Sequence, residues 1–354
     1  MPDVLVLGAT RHIGDLVTRA LAKRAANFIV ASGNRGKLEA LATATGASGV
    51  AVVRAGDVPA LAEAARDVRV LLTCVSPFTT LGRTAADAAL RARVHYIDCC
   101  GESAFVADLI ARYDSAARSR GIAMAPAMGF DEVPADVAAT IATEGFDEAD
   151  LVLTYALPSP ASWGTIRSAG AVSSPGQWIA AGSPRPIRAG EERRWAPMPP
   201  PLGPLASVSF PLAEGYLAPL HLRVRSLKLF LVASLLQRAG LRMGHRLVGA
   251  RAVQTAFDKA LAWPEGGTDA AHRRQQEWMI LAEATCGGKR RNVALSGRDA
   301  CGLTAELLAA GALKMAESGY PARGVVAPVQ TAGIDVWREQ LVQHGVRIQV
   351  FESR

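Results

Sequence analysis

The stretch Val4-Leu5-Val6-Leu7-Gly8-Ala9-Thr10-Arg11-His12-Ile13-Gly14 decides the fold. Four apolar residues read as a strand, and Ile13, Val17, Ala20 and Leu21 then repeat at the spacing of one helical face. Between them, Gly8 and Gly14 permit a tight turn and close packing of the helix. The helix N-terminus can then offer its N–H groups and the positive end of its dipole to a pyrophosphate. A glycine pattern alone is weak. Placed between a first strand and a first helix, it makes Gly8, Thr10, Arg11, His12, Ile13 and Gly14 a candidate dinucleotide loop, against a structural turn that binds nothing.

Outward from this stretch, short apolar runs alternate with helical patterns. Strands are expected at 28–31, 50–53, 68–73, 94–97 and 122–125, which makes six with the first. That rhythm is the signature of an α/β fold with an N-terminal Rossmann-type, doubly wound parallel sheet, assigned to residues 1–128. The rhythm breaks near Phe130. Residues 129–324 read as a second α+β domain with a mixed sheet. Its parts are a Pro-, Gly- and Arg-rich stretch from Ser173 to Pro204, expected as a long loop, and a basic apolar segment from Leu222 to Arg246, expected as a core helix with a cationic rim. A strand from Glu277 to Ala284 and a helix from Thr304 to Glu317 follow. Trp337–His344 reads as a last helix and Val346–Phe351 as a last strand, and the segment from about 325 to 354 is expected to pack back on the first domain.

A chain of 354 residues exceeds the size at which one core keeps growing, so two domains are natural. Half its residues are apolar and 20% are charged, an ordinary globular composition. The net charge of +7 favours anionic ligands such as a nucleotide phosphate, a carboxylate or an acyl carrier surface. Nucleic acid is disfavoured, because the cations are scattered and only 6% of residues are aromatic. Five cysteines, at 74, 99, 100, 286 and 301, show no CxxC pair, so neither a disulfide framework nor a metal site is expected. A reducing cytoplasm fits. The start lacks the pattern of a signal peptide, and the most apolar window, Leu227–Leu236, contains Lys228 and is too short for a membrane span.

The second strand distinguishes between cofactors. NAD enzymes generally end it with a carboxylate for the ribose diol, whereas here it ends Ser32-Gly33-Asn34-Arg35, with Lys37 close by. Ser32, Asn34 and Arg35 therefore point to NADPH, with Arg35 and Lys37 otherwise a solvated helix start. Many such loops carry a third glycine where Arg11 or His12 now stands, and Arg11 bears on phosphate binding. It either obstructs the pyrophosphate or swings outward to clamp a 2′-phosphate.

Three further segments follow the later strands: Ser76-Pro77-Phe78 with Gly82; Asp98-Cys99-Cys100-Gly101-Glu102; and Gly129-Phe130-Asp131-Glu132-Val133-Pro134-Ala135-Asp136. In this order and spacing the chain resembles the saccharopine dehydrogenase-like oxidoreductases, which include saccharopine reductases and trans-acting enoyl reductases. The likeness is strong to residue 136. Beyond it, Phe210-Pro211 with Glu214 and His221, Gly297-Arg298-Asp299 and Gly324-Val325-Val326-Ala327-Pro328 match loosely.

The resemblance implies reduction of a C=N bond in an opine-like imine, or of a C=C bond in an enoyl group, by NADPH in a homodimer. The substrate would be a small molecule or a carrier-bound acyl group. It also implies that Ser76, Pro77 and Phe78 run along the nicotinamide ribose and that Asp57 approaches the adenine; the alternative for Asp57 is a helix cap. Candidate catalytic residues are Asp131, Glu102 and His221, beside Glu132, with Tyr155 more remote. Against these stand a cap for Asp131, an exposed loop for Glu102 and a structural role for His221. Cys99 and Cys100 read as buried small residues, with a reactive thiol as the alternative.

Opine-like substrates would need converging cations, for which Arg167, Arg185, Arg188, Arg223 and Arg225 are available. A short-chain dehydrogenase is disfavoured, because none of the five tyrosines has a lysine four residues on. The competing class is a cofactor-binding sensor or scaffold without turnover, suggested by the altered glycine loop and the two cysteines.

Overall fold

The computed structural model describes residues 2–157, 176–233 and 275–353. They divide into two compact units. The first comprises 1–100, 105–133 and 301–337; the second comprises 101–104, 134–300 and 338–354.

The first unit is built on a parallel sheet of seven strands: β1 (Val4–Leu7), β2 (Phe28–Ser32), β3 (Gly49–Val52), β4 (Val70–Thr73), β5 (His95–Asp98), β6 (Ala123–Ala125) and, from much later in the chain, β15 (Gly324–Val325). Their order is β15-β6-β5-β4-β1-β2-β3. The expected Rossmann sheet is thus present, with β15 added at its edge. Every residue of β1 is buried, as a strand covered on both faces must be. Val4 registers with Phe28 on one side and Val70 on the other, so the strand order reverses about β1. In open α/β sheets the ligand crevice lies outside the carboxyl ends of the strands at such a reversal. Here that means the loops after Leu7 and Thr73.

Helices α1 (His12–Lys23), α2 (Arg35–Thr45), α3 (Val58–Ala64), α4 (Arg83–Ala92) and α5 (Ser103–Ser119) connect these strands, and α6 (Glu132–Thr143) leads onward. The expected face of α1 is buried at Val17, Ala20 and Leu21. A five-residue π turn, Phe78–Gly82, runs straight into α4.

The second unit is a mixed sheet. β7 (Ala149–Ala156) lies between parallel β12 (Val224–Val232) and antiparallel β13 (Glu277–Cys286), and β14 (Lys289–Arg298) follows β13 in a hairpin. On the other flank, β11 (Leu205–Ser209) joins β12 to β10 (Arg193–Ala196), while β8 (Gly176–Ala180) pairs with β12 and with β9 (Ser183–Ile187). The short helix α7 (Glu214–Leu217) precedes β12. The long helix α8 (Ala300–Met315), then α9 (Pro328–Ala332), α10 (Ile334–Gln343) and β16 (Arg347–Ser353), complete the described chain.

Three expectations are corrected. The described part of Ser173–Pro204 holds three strands rather than one loop. Pro184 and Pro186 lie in β9, which among the described residues pairs with β8 alone, so their missing N–H groups cost no ladder bond on the open side. Ala181 and Gly182, both at positive φ, close the hairpin. The basic apolar segment is strand β12 as far as Val232, because Leu227, Leu229 and Phe230 are buried between two neighbouring strands; its remainder, to Arg246, lies outside the described residues. Finally, of the segment expected to return to the first domain, Gly324–Val325 pairs with β6 in the first sheet, but β16 pairs with β14 in the second. Among the described residues no helix is long and apolar enough to cross a membrane.

Candidate functional site

The loop after β1 is shaped by its two glycines. Gly8 has φ of +81°, and a Cβ there would stand 2.6 Å from Cγ2 of Val75. A Cβ on Gly14 would collide with the carbonyl oxygen of Gly8 and reach 2.8 Å from Cα of Ala9. The start of α1 is therefore pressed against the turn in a way that no side chain permits.

The beginnings of three successive helices differ in one respect. Asn34 caps α2, its Oδ1 accepting from the N–H of Lys37 at 3.0 Å, and Asp57 caps α3, accepting from the N–H of Ala60 at 3.0 Å. Arg11 occupies the same position on α1 without a side-chain cap. An anion is what the dipole at such a helix start favours.

These features border a cleft of about 340 Å³. Gly8, Thr10, Arg11, Ser32 and Asn34 line it, with Val75 and Leu81 contributing from beyond β4. The Arg11 side chain is exposed, and Ser32 Oγ accepts from the N–H of Asn34 at 3.3 Å. No carboxylate stands among the cleft residues. The shape fits a dinucleotide: a glycine cradle that a Cβ would fill, an uncapped helix start for the pyrophosphate, and Arg11 with Asn34 where a 2′-phosphate needs donors.

Other residues expected here are placed differently. His12 and Ile13 begin α1 without bordering the cleft. Arg35 is 3.5 Å from Glu39 one turn along α2, and Asp57 is held by its own helix. Ser76 and Pro77 are exposed beyond β4, whereas Phe78 turns inward onto Phe105, the ring centroids 6.0 Å apart.

Asp98 is the buried anchor of the neighbouring loops. Its Oδ1 accepts from the N–H groups of Cys100 at 2.8 Å and Ala127 at 2.9 Å, and its Oδ2 from the Tyr96 hydroxyl at 2.5 Å. Burial raises its pKa above the usual carboxylate range, and these hydrogen bonds offset part of that rise. Asp98 thus ties the turns after β5 and β6 together.

Of the catalytic candidates, Glu102 is half-buried in the turn into α5, and Asp131 is half-buried before α6, where the N–H of Phe130 donates to Oγ1 of Thr304 at 3.0 Å. Glu132 and Tyr155 are buried. His221 has a partner that the sequence did not announce: its Nε2 lies 2.7 Å from Oδ1 of Asp136, with side-chain exposures of 11% and 3%. A buried carboxylate fixes the orientation of the ring, an arrangement suited to proton transfer. Among the arginines suggested for an anionic substrate, Arg185 pairs with Glu192 at 3.2 Å and Arg225 pairs with Asp150. Arg167 lies outside the described residues.

Comparison with known proteins agrees with this geometry. The family model for the saccharopine dehydrogenase NADP-binding domain matches residues 4–124. A trans-acting enoyl reductase of Mycobacterium ulcerans (strain Agy99) is 30% identical over 141 residues, 38% of this chain and 34% of that protein. A lipid droplet localized protein of Caenorhabditis elegans is 28% identical over 156 residues, 41% of this chain and 37% of that protein. The chain spans about a third of the length of these curated relatives. The fold matches apo saccharopine dehydrogenase (L-Glu forming) from Saccharomyces cerevisiae over 100% of both chains, with a TM-score of 0.63 at 12% identity. Residues 4–124 are thus similar to the saccharopine dehydrogenase NADP-binding domain family.

Proposed function

We propose that the chain is an NADPH-dependent reductase of a C=N or C=C bond, acting on a small or acyl-type metabolite. One observation carries this reading: the start of α1 is uncapped and pressed against Gly8, and the cleft beside it contains Arg11 and Asn34 but no carboxylate. The positive dipole end of α1 favours a pyrophosphate, and Arg11 takes the 2′-phosphate. Arg11 suits that role better than Arg35, which spends its charge on Glu39 and does not line the cleft.

When bound, the reduced nicotinamide supplies the hydride. The chain must then provide a proton, and His221, oriented by Asp136, is the group built for it. The enoyl reductase relative supports the C=C alternative, and the likeness in fold to saccharopine dehydrogenase is compatible with C=N. The family resemblance supports a homodimer, and the five free thiols support a cytoplasmic setting.

The test is NADPH consumption, followed by absorbance, with two substrate panels: imines formed in place from 2-oxo acids and amines, and enoyl thioesters. Turnover with either panel, lost in His221→Asn, is expected. NADPH binding without consumption on any member of either panel would favour a sensor instead.

A further inference from the structure

The last registered pair of β4 and β5 is Thr73 with Asp98. One step beyond it stand Cys74 and Cys99. Neighbouring strands are about 4.8 Å apart, inside the Cα separation of roughly 4.4–6.8 Å that a disulfide requires. The two thiols already share a hydrogen bond. Cys74 is buried and Cys99 is partly exposed, so one can meet a reagent while the other waits behind it.

We propose that Cys74 and Cys99 are a reversible disulfide pair and that closing it weakens dinucleotide binding on the Gly8 loop; the second clause rests on the function proposed above. The connection to the cleft is direct. The N–H of Cys74 donates to the carbonyl of Leu7 at 3.0 Å, and the next residue, Val75, lines the cleft and is packed so closely on Gly8 that a Cβ there would come within 2.6 Å of it. Drawing Cys74 toward Cys99 pulls on the segment against which the glycine turn is seated.

The oxidant is a low-molecular-weight disulfide. The Cys99 thiolate attacks one of its sulfurs, its S–S bond breaks, and one small thiol leaves. The Cys74 thiolate then attacks Cys99 in this mixed disulfide and expels the second small thiol. Two cysteine protons end on the two released thiols, and the two electrons lost by the cysteines reduce the reagent. The hydrogen bond with Cys74, together with burial, holds the Cys99 thiol well above its ordinary range, so the pair responds slowly and to sustained oxidant. Cys100 is a poorer partner: it is fully buried, and its N–H is fixed on Asp98.

The experiment treats the full chain with oxidised glutathione, traps the remaining thiols by alkylation and maps linked peptides by mass spectrometry. A Cys74–Cys99 link lighter by two hydrogens and reversed by dithiothreitol is expected, with Cys100, Cys286 and Cys301 alkylated. A link through Cys100, or a glutathione adduct on Cys99 that never resolves onto Cys74, overturns the proposal. NADPH titration of the reduced and oxidised protein should show affinity falling roughly tenfold on oxidation. Cys99→Ala should bind NADPH equally before and after treatment. Unchanged affinity in a fully linked protein contradicts the second clause. A reduced protein that binds no NADPH counts against the proposed function instead, leaving the link map to decide on the pair.

Discussion

Nε2 of His221 lies 2.7 Å from Oδ1 of Asp136, and both side chains are nearly withdrawn from solvent. A general acid contributes about 100-fold or more to a proton-transfer step. His221→Asn should therefore lower kcat by about that factor while leaving NADPH affinity unchanged. Asp136→Asn, which preserves shape but not charge, should also lower kcat, by less, with KM nearly constant. Steady-state kinetics beside NADPH titration checks this; loss of thermal stability with kcat intact would mark the pair as structural.

Gly14 admits no side chain, whereas Gly36, inside α2, has its nearest obstacle, Oδ1 of Asn34, 3.9 Å from a Cβ. Gly14→Ala should cost at least about 2 kcal/mol, by the scale of overpacked cores, and should abolish nucleotide binding. Gly36→Ala should instead stabilise by roughly 0.5–1 kcal/mol, the helix-propensity difference. Urea denaturation of the two variants gives the comparison.

His95 is partly buried, and its Nδ1 accepts from the N–H of Ala123 at 2.9 Å. Burial first, and the charge of Arg323 second, lower its pKa from 6.5 to about 4. A folded value below the unfolded one means the neutral ring contributes stability that is complete above about pH 6.5 and is lost as pH falls through 4. The full swing is about 3 kcal/mol. Urea midpoints at pH 7.5 and pH 4.5 should separate more in the wild type than in His95→Gln; equal separation would contradict this assignment.

The Rossmann sheet and its glycine loop were legible because both signals are local. Buried strands are short apolar runs, and the loop joins strand to helix within seven residues, Gly8 to Gly14. Strand β12 was not legible, because a continuous apolar run carries no period that separates helix from strand. Strand β9 was hidden by prolines that an edge tolerates. The partner of His221 lies 85 residues away, beyond any spacing rule, although Asp136 itself stood inside a quoted motif. For Asp57 the helix-cap reading has a local signal and is present: its carboxylate caps α3.

The most direct measurement is calorimetric titration of the purified protein with NADPH and NADH, repeated on Arg11→Gly and Arg35→Ala. The account predicts NADPH binding at least tenfold tighter, a gap of about 1.4 kcal/mol, with the preference erased in Arg11→Gly and largely kept in Arg35→Ala. Equal affinity for the two nucleotides, or binding that appears only once Arg11 is replaced, would contradict it.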